Sequence, residues 1–158
     1  MRSTVRFPVA LGLVCLFVLI SRAHTERDLV VAQTRKPTFI TRLYTGPDGQ
    51  THSEEMELKF TASSPSSEVA KMETVTGAEI HRTAAGSVAD WHRGPRRQYV
   101  ITLSGRGQLE VAGGKTIPVE PGHIELIEDT TGKGHITRVA AGEDRVTLFL
   151  TVADQSSR

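Results

Sequence analysis

The feature that most constrains the fold of this chain is a series of short strand-like segments that begins after Gly77. These segments alternate with glycine-containing turns, and they are Glu79–Thr83, Gln98–Ser104, Gln108–Val111, Lys115–Val119, His123–Ile127, His135–Val139 and Arg145–Val152. Strands that recur about every 8–12 residues between such turns are typical of an all-β sandwich or barrel. No long amphipathic helical pattern competes with them, so the sequence predicts an all-β fold.

The residues before this series give weaker signals. The stretch TFITRLY after Pro37 and the alternating Met56–Phe60 are predicted to be strands. The segment SSPSS at 63–67 is typical of a loop. Val69–Val75 is compatible with one helical turn. A chain of 158 residues is long enough for one domain.

The first residues have the pattern of a secretory signal peptide. A basic start precedes an apolar run from Val9 to Ile20, and small residues stand before a cleavage point after Ala23. This run is short for a spanning helix, which favours cleavage over a retained membrane anchor. We therefore assign residues 1–23 to a signal peptide, 24–36 to an N-terminal arm and 37–158 to a single domain. The mature protein is expected to be exported, secreted or periplasmic, without membrane contact after cleavage.

Charge and cysteine content exclude several classes of protein. The chain holds 19 Lys and Arg against 18 Asp and Glu, and 16 against 18 remain once Arg2, Arg6 and Arg22 leave with the signal peptide. This near balance provides no basic stripe for nucleic acid. The single cysteine, Cys15, lies in the apolar run. The mature domain is therefore predicted to have no disulfide, no thiol nucleophile and no zinc–thiolate site.

Two of the six histidines occupy positions suited to a functional site. His92 comes shortly before the most apolar strand, and His135 opens a later strand after a glycine-containing turn. Histidines at the mouths of different strands can converge inside a barrel, where inward and outward side chains alternate. In the strand after His92, the residues Gln98, Val100 and Thr102 share one face. An inward Gln98 would therefore lie in the same interior as the histidines.

The spacing of these residues resembles the motifs of the cupin superfamily, whose members are small jelly-roll β-barrels. Gly86, His92, Gln98 and Gly105 fall in register with the first cupin motif. The segment 130–135 matches the end of the second motif except for its proline. The resemblance covers about the last half of the mature chain. It implies a double-stranded jelly-roll (cupin) barrel with a mononuclear metal centre.

The same resemblance identifies departures at the metal site. Cupins that bind metal usually supply two His and one Glu from the first motif and one His from the second. Here Gly94 replaces the second His and Gln98 replaces the Glu. The resemblance thus implies one divalent metal ion (Fe, Mn, Ni, Cu or Zn) held by His92, Gln98 and His135. An amide oxygen is a weaker ligand than the carboxylate of the triad that suits non-haem iron.

Three arginines beside His92 are candidates for binding an anionic substrate. Arg93, Arg96 and Arg97 follow it closely in the chain. Arginine is suited to bidentate recognition of carboxylate or phosphate. Surface pairing with glutamates is the alternative for at least two of the three. We take Arg97 as the catalytic candidate of this group.

Acidic residues upstream of His135 are candidates for proton transfer. Asp129 is the candidate general base, although Asp is also a preferred turn residue. Glu125 could supply the missing carboxylate ligand. The alternating pattern of its strand favours a solvent-facing side chain instead.

Two functions remain open at this point. The first is a metal-dependent oxidoreductase or isomerase, dioxygenase-like or isomerase-like, acting on a small, anionic organic molecule. The alternative is a non-catalytic barrel that binds a small molecule or sugar, because two of the four ligand positions are lost. The two retained histidines and the polar Gln98 at an inward position favour the enzyme. Small jelly-roll barrels often pair through edge strands, which makes a homodimer a further prediction.

Overall fold

A computed structural model describes residues 36–153 of this protein. The signal peptide, its cleavage point and nearly all of the predicted arm lie outside this range, so these assignments stay predictions. No helix within the described range is long and apolar enough to cross a membrane. The strands are β1 (Phe39–Thr45), β2 (Thr51–Glu57), β3 (Thr61–Ser64), β4 (Ser67–Val69), β5 (Val75–Thr83), β6 (Val88–His92), β7 (Gln98–Ser104), β8 (Gly107–Glu110), β9 (Thr116–Val119), β10 (Ile124–Glu128), β11 (His135–Val139) and β12 (Arg145–Val152), with one 3₁₀ turn at Ala112–Gly114.

The strands form two larger sheets and one separate hairpin. The six-stranded sheet has the order β2-β1-β10-β7-β12-β5, and the four-stranded sheet has the order β6-β11-β8-β9. Strands β1 and β10 run parallel, whereas the other neighbours within these two sheets are antiparallel. Strands β3 and β4 pair with each other. Chain connections pass repeatedly between the two larger sheets, which is the arrangement of a jelly roll. The all-β fold class predicted from the sequence is confirmed.

One hydrophobic cluster joins the two larger sheets. Its buried members come from both sheets and from the turn between β8 and β9. They are Leu43, Val100, Leu109, Val111, Ile117, Val119 and Ile127. A second cluster is formed within the six-stranded sheet by Ile40, Tyr99, Leu126 and Val152. Adjacent residues of β7 and of β10 thus belong to different clusters, because successive side chains of a strand point to opposite faces. This alternation decides which side chains reach the barrel interior.

The sequence-based boundaries agree best with the structure in the second half of the chain. The predicted strands Gln98–Ser104, His135–Val139 and Arg145–Val152 are found with the same bounds. In the first half, the strand lies at Thr51–Glu57 rather than Met56–Phe60, and the helical turn predicted nearby is not formed. Strand β2 buries one side chain and β3 and β4 bury none. A pattern of apolar residues therefore carries little information there.

Gly134, immediately before β11, allows two backbone segments to approach closely. Its φ is +82°, in the left-handed region, and a Cβ atom at this position would overlap the carbonyl oxygen of His92. Gly142 has a comparable φ of +96° but open space around it. The two glycines therefore share a backbone conformation and differ in their surroundings.

We expect Gly134→Ala to destabilise the fold more than Gly142→Ala. Both substitutions place a side chain in the left-handed region, at about 1–2 kcal/mol. Only the first also creates a steric overlap, which adds about 1–3 kcal/mol. Urea denaturation of the two variants measures the difference. Equal losses in the free energy of unfolding would contradict the close approach at Gly134.

Candidate functional site

A cavity of about 190 Å³ lies between the two larger sheets. It is smaller than the roughly 300–1,000 Å³ of pockets for drug-sized ligands, so it suits a small molecule. Its polar lining residues are Thr83, Ser87, His92, Gln98, Glu125, His135, Thr137, Arg145 and Thr147. Apolar side chains, among them Val100, Ile127 and Phe149, complete the wall.

His92 and His135 lie side by side at this cavity. They are direct partners in the pairing of β6 with β11. Their ring centroids are 4.5 Å apart with an interplanar angle of 55°. The register shifts just after His135, and such irregularities can re-aim a side chain. The structure thus brings together the two histidines singled out in the sequence, although strand β6, which carries His92, has no clear sequence signal.

The hydrogen bonds of the two rings involve Nδ1 in each case and leave both Nε2 atoms without a partner within residues 36–153. His92 Nδ1 lies 2.8 Å from the backbone oxygen of Asp90, and His135 Nδ1 lies 2.6 Å from Asp129 Oδ2. Because both oxygens act as acceptors, each Nδ1 donates, and in the neutral ring each Nε2 then carries a lone pair. Neither Nε2 has a partner among the described residues, and neither is fully buried. Two imidazole nitrogens are therefore available to a ligand in this cavity.

Asp129 supports His135 from outside the cavity. Its side chain is completely buried, and Oδ2 also accepts a hydrogen bond from Thr51 Oγ1 at 2.9 Å. A carboxylate behind a histidine fixes the tautomer and the orientation of the ring. The sequence predicts Asp129 as a general base, but the structure has it in contact with His135 and not among the residues that line the cavity. Its hydrogen bonds are those of a residue that holds the His135 ring in place.

Gln98 lines the same cavity from strand β7. It is buried, and its Oε1 accepts a hydrogen bond of 3.4 Å from Arg96 Nε. Val100 also lines the cavity, and Thr102 is buried two residues further along. The structure therefore has these three residues of β7 on the inward face, in agreement with the alternation predicted from the sequence.

Gly94 has no room for the histidine that the cupin motif would carry at its position. A Cβ atom there would lie 2.5 Å from Ile127 Cγ2 and 3.4 Å from Asp129 Oδ1. The Gly94 N–H donates to the carbonyl oxygen of Asp129 at 3.2 Å. The loop that follows His92 is thus held against the end of β10, and a side chain at position 94 would require Ile127 or this loop to shift.

A buried ion pair forms another part of the cavity wall. Glu125 is 2% exposed and Arg145 is 5% exposed, and Arg145 Nη2 donates to Glu125 Oε1 at 2.8 Å. The expectation that Glu125 faces solvent is wrong, because Glu125 lies opposite Val100 in the pairing of β10 with β7. Residues directly opposite in an antiparallel pair share a face. Burial raises the pKa of Glu125, although Arg145 opposes the shift.

Arg145, the second charged member of this pair, was not predicted from the sequence. The alternation of the strand was the one indication of its position, because it puts Arg145 on the same face as Thr147 and Phe149. In the structure, both of these residues line the cavity. A charged residue at the start of a strand is nevertheless normally exposed. Only the packing of the two sheets identifies it as buried.

Arg97 forms its ion pairs with carboxylates outside the cavity. It forms ion pairs with Glu73 and Glu128, and the hydrogen bond with Glu73 is the largest cause that raises its pKa. It is not among the residues that line the cavity. The structure therefore does not bring Arg97 together with the histidines, and its contacts are those of the alternative interpretation, pairing with glutamates.

Three polar side chains, those of Glu79, His81 and Arg96, are linked by contacts to residues that line the cavity. Arg96 contacts Gln98 and forms an ion pair with Glu79 at 3.0 Å. The imidazole of His81 stacks on the ring of Phe149, with centroids 4.2 Å apart. Gln98 and Phe149 line the cavity, whereas Glu79, His81 and Arg96 are exposed and are not among its lining residues.

The donor atoms at the cavity fit a weakly held divalent ion. No group of three His, Cys, Asp or Glu side chains within residues 36–153 is arranged to hold a metal. The candidate ligands are two imidazoles and the Gln98 amide. This set can bind a divalent transition-metal ion, although it contains no carboxylate. The formal charge of the buried groups also favours a cation, since Asp129 and Glu125 outnumber Arg145.

The architecture is that of a small jelly-roll barrel, the fold that the resemblance to cupins implies. No family model and no curated protein matches this chain. A cupin protein from Bacteroides fragilis is 24% identical, with 53% of this chain and 72% of that chain covered and a TM-score of 0.39.

Two further solved structures are similar to this chain. The Cnp3 cupin domain of Schizosaccharomyces pombe is 15% identical over 79% of this chain and 89% of that chain, with a TM-score of 0.42. A cupin-2 domain protein from Rhodospirillum rubrum is 20% identical over 77% and 74%, with a TM-score of 0.40. These likenesses concern the fold alone.

Proposed function

We propose that this protein is a small metalloenzyme that acts on a small, anionic organic molecule at one divalent ion bound by His92 and His135. The observation that carries the proposal is the pair of Nε2 atoms open to one cavity, with both Nδ1 protons engaged by oxygen acceptors. Neutral imidazoles arranged in this way are ligands for divalent transition ions. The side-chain amide oxygen of Gln98 would be the third ligand of the ion.

The residues around the ion have distinct roles in this proposal. Asp129 holds the Nδ1 proton of His135 and so keeps Nε2 available as a ligand. A bound ion would supply Lewis acidity toward a substrate oxygen. Glu125 is the carboxylate that lines the cavity, and a carboxylate in this position can accept or return a proton of a bound substrate. Proton transfer of the isomerase kind uses these groups directly.

A binding barrel without catalysis is the second candidate. The observation that favours it is the lack of any third His or acidic ligand within the described range, together with the crowded position of Gly94. In this case, the cavity would hold a small polar molecule through hydrogen bonds from its threonines and its ion pair. Such a protein would remain free of metal after reconstitution.

We expect the reconstituted protein to hold close to one divalent ion, and the substitutions His92→Ala and His135→Asn each to weaken its binding more than about tenfold. Even loss of an outer partner of a ligand weakens binding about 10–100-fold. Asn at position 135 retains an amide donor toward Asp129. Metal analysis of tag-free protein purified without chelators is the measurement.

His52→Ala is the matched control for this experiment. His52 is partly exposed and hydrogen-bonded to Asp48, so its loss removes one imidazole without touching the cavity. Equal metal content in all four proteins would indicate adventitious binding. A wild-type protein that stays metal-free would support the binding barrel instead.

A further inference from the structure

Arg145 presents one end of its guanidinium to the cavity. Thr102 Oγ1 accepts hydrogen bonds from Nε at 3.2 Å and from Nη2 at 2.7 Å, and Glu125 Oε1 accepts from Nη2 at 2.8 Å. Nη1 has no partner among the described residues, and it is not a fully buried atom. Because Arg145 is 5% exposed and lines the cavity, the two N–H groups of Nη1 are open to a ligand there.

The rest of the guanidinium is held in a fixed orientation. Thr102, which accepts two of its hydrogen bonds, is itself fixed through its backbone: its N–H donates to His123 and its carbonyl accepts from Gly122. A planar guanidinium anchored along one edge loses little conformational freedom when it binds a ligand. Nη1 is therefore a preorganised donor, and Arg145 is the only buried Lys or Arg in residues 36–153.

The formal charges of the interior favour a singly charged anion once a divalent ion is present. When Glu125 is ionised in its ion pair with Arg145, the two buried carboxylates of Asp129 and Glu125 outnumber the one buried guanidinium by one negative charge. A divalent ion changes this balance to one positive charge. A monocarboxylate would neutralise it, whereas a neutral ligand would leave a buried charge without compensation, which is unfavourable.

We propose that Arg145 anchors the carboxylate of the substrate through Nη1, so that the cavity selects small monocarboxylic acids. The hydroxyl groups of Thr137 and Thr147 line the same cavity and can bind a hydroxyl or carbonyl oxygen of such an acid. The inference rests on the proposed function for the ion, but the anchor uses neither histidine. Glu125 orients Arg145 and places a negative charge beside the ligand.

Isothermal titration of the full chain, reconstituted with Mn²⁺, with glycolate and with its neutral analogue glycolamide tests the anchor. We expect glycolate to bind about tenfold or more tightly than glycolamide, the range for a hydrogen bond to a charged group. The double substitution Glu125→Gln/Arg145→Gln should lower the glycolate affinity by a similar factor. Glu125→Gln alone should raise it, because the neighbouring negative charge is removed.

Arg138→Gln is the control, since Arg138 pairs with Glu110 at 2.7 Å and does not line the cavity. It should leave glycolate binding unchanged. Thermal unfolding establishes that each variant is folded. If the double variant fails to fold, Arg145→Lys replaces it: the charge remains but the planar donor end is lost, and we again expect about a tenfold decrease.

Metal analysis of the same samples separates the two proposals. Two results would overturn the anchor at any metal content. The first is equal affinity for glycolate and glycolamide, and the second is a glycolate affinity that does not change when the guanidinium is removed. Glycolate binding that depends on Arg145 in a protein that holds no metal overturns the metalloenzyme and supports the anchor. Undetectable glycolate binding in metal-loaded protein also overturns the anchor.

Discussion

Arg145→Gln is expected to lower the free energy of unfolding by about 3–5 kcal/mol, the usual effect of leaving one partner of a buried ion pair alone. Glu125 is 2% exposed, so its charge cannot be solvated once the guanidinium is gone. Thr102 also loses the donor of two hydrogen bonds. Urea denaturation at neutral pH is the measurement.

The double substitution Glu125→Gln/Arg145→Gln completes this experiment. Two neutral amides leave no buried charge, and replacement of both partners of a buried ion pair by groups of similar volume is often close to neutral. Gln has the shape of Glu but is shorter than Arg, so part of the loss should remain. We therefore expect the double variant to be more stable than Arg145→Gln alone. A double variant that is less stable than the single one would show that the charge of Glu125 is not the cause of the loss.

The loss in the free energy of unfolding caused by Arg145→Gln should also become smaller as the pH falls. Burial raises the pKa of Glu125 in the folded protein. Its ionised form is therefore unfavourable in the fold, and stability is lost as the pH rises through the folded-state pKa. Without Arg145 that pKa rises further. Lowering the pH through this range protonates Glu125 and restores stability relative to the wild type, whereas the double variant should show no such pH dependence.

Asp129→Ala is expected to lower the free energy of unfolding by about 2–6 kcal/mol, because it leaves two buried donors unsatisfied at about 1–3 kcal/mol each. These donors are Thr51 Oγ1 and His135 Nδ1, and all three side chains are buried. The same change should weaken metal binding about 10–100-fold, as does the loss of other partners of ligating histidines. Urea denaturation and metal titration measure the two effects.

Two further variants separate positioning of His135 from a purely structural role of Asp129. Thr51→Val removes the other hydrogen bond of Asp129 and leaves His135 in place, so we expect reduced stability with metal affinity maintained. Asp48→Ala breaks a second Asp–His contact, with His52, at an exposed site, and should leave metal affinity unchanged. If Asp129→Ala destabilises the fold without weakening metal binding, Asp129 does not position a ligand.

Much of the fold and part of the site could be predicted because the signals are local. A strand alternates its side chains every two residues, and a turn requires glycine or another turn former, so both patterns are visible without knowledge of neighbouring strands. The bounds of β7, β11 and β12 follow from them. His92, Gln98 and His135 were likewise identified as residues that line one interior.

Three of the four edge strands of the two larger sheets, β2, β5 and β6, were predicted poorly for a related reason. Strand β5 runs along the edge of the six-stranded sheet, and all nine of its residues are exposed. Such strands bury few side chains, so their pairing leaves little trace in the pattern of apolar residues. The sequence prediction accordingly begins at Glu79, four residues after the strand does.

The periodicity, turn residues and motif spacing of the chain were enough to establish an all-β barrel with two histidines in its interior. The roles of the charged residues depended on tertiary structure. Glu125 and Arg145 face inward and Asp129 lies behind His135, whereas Arg97 pairs with carboxylates outside the cavity. The physical reason is that a strand has two faces, and the sheet packed against it decides which face is desolvated and which charges must find a partner there.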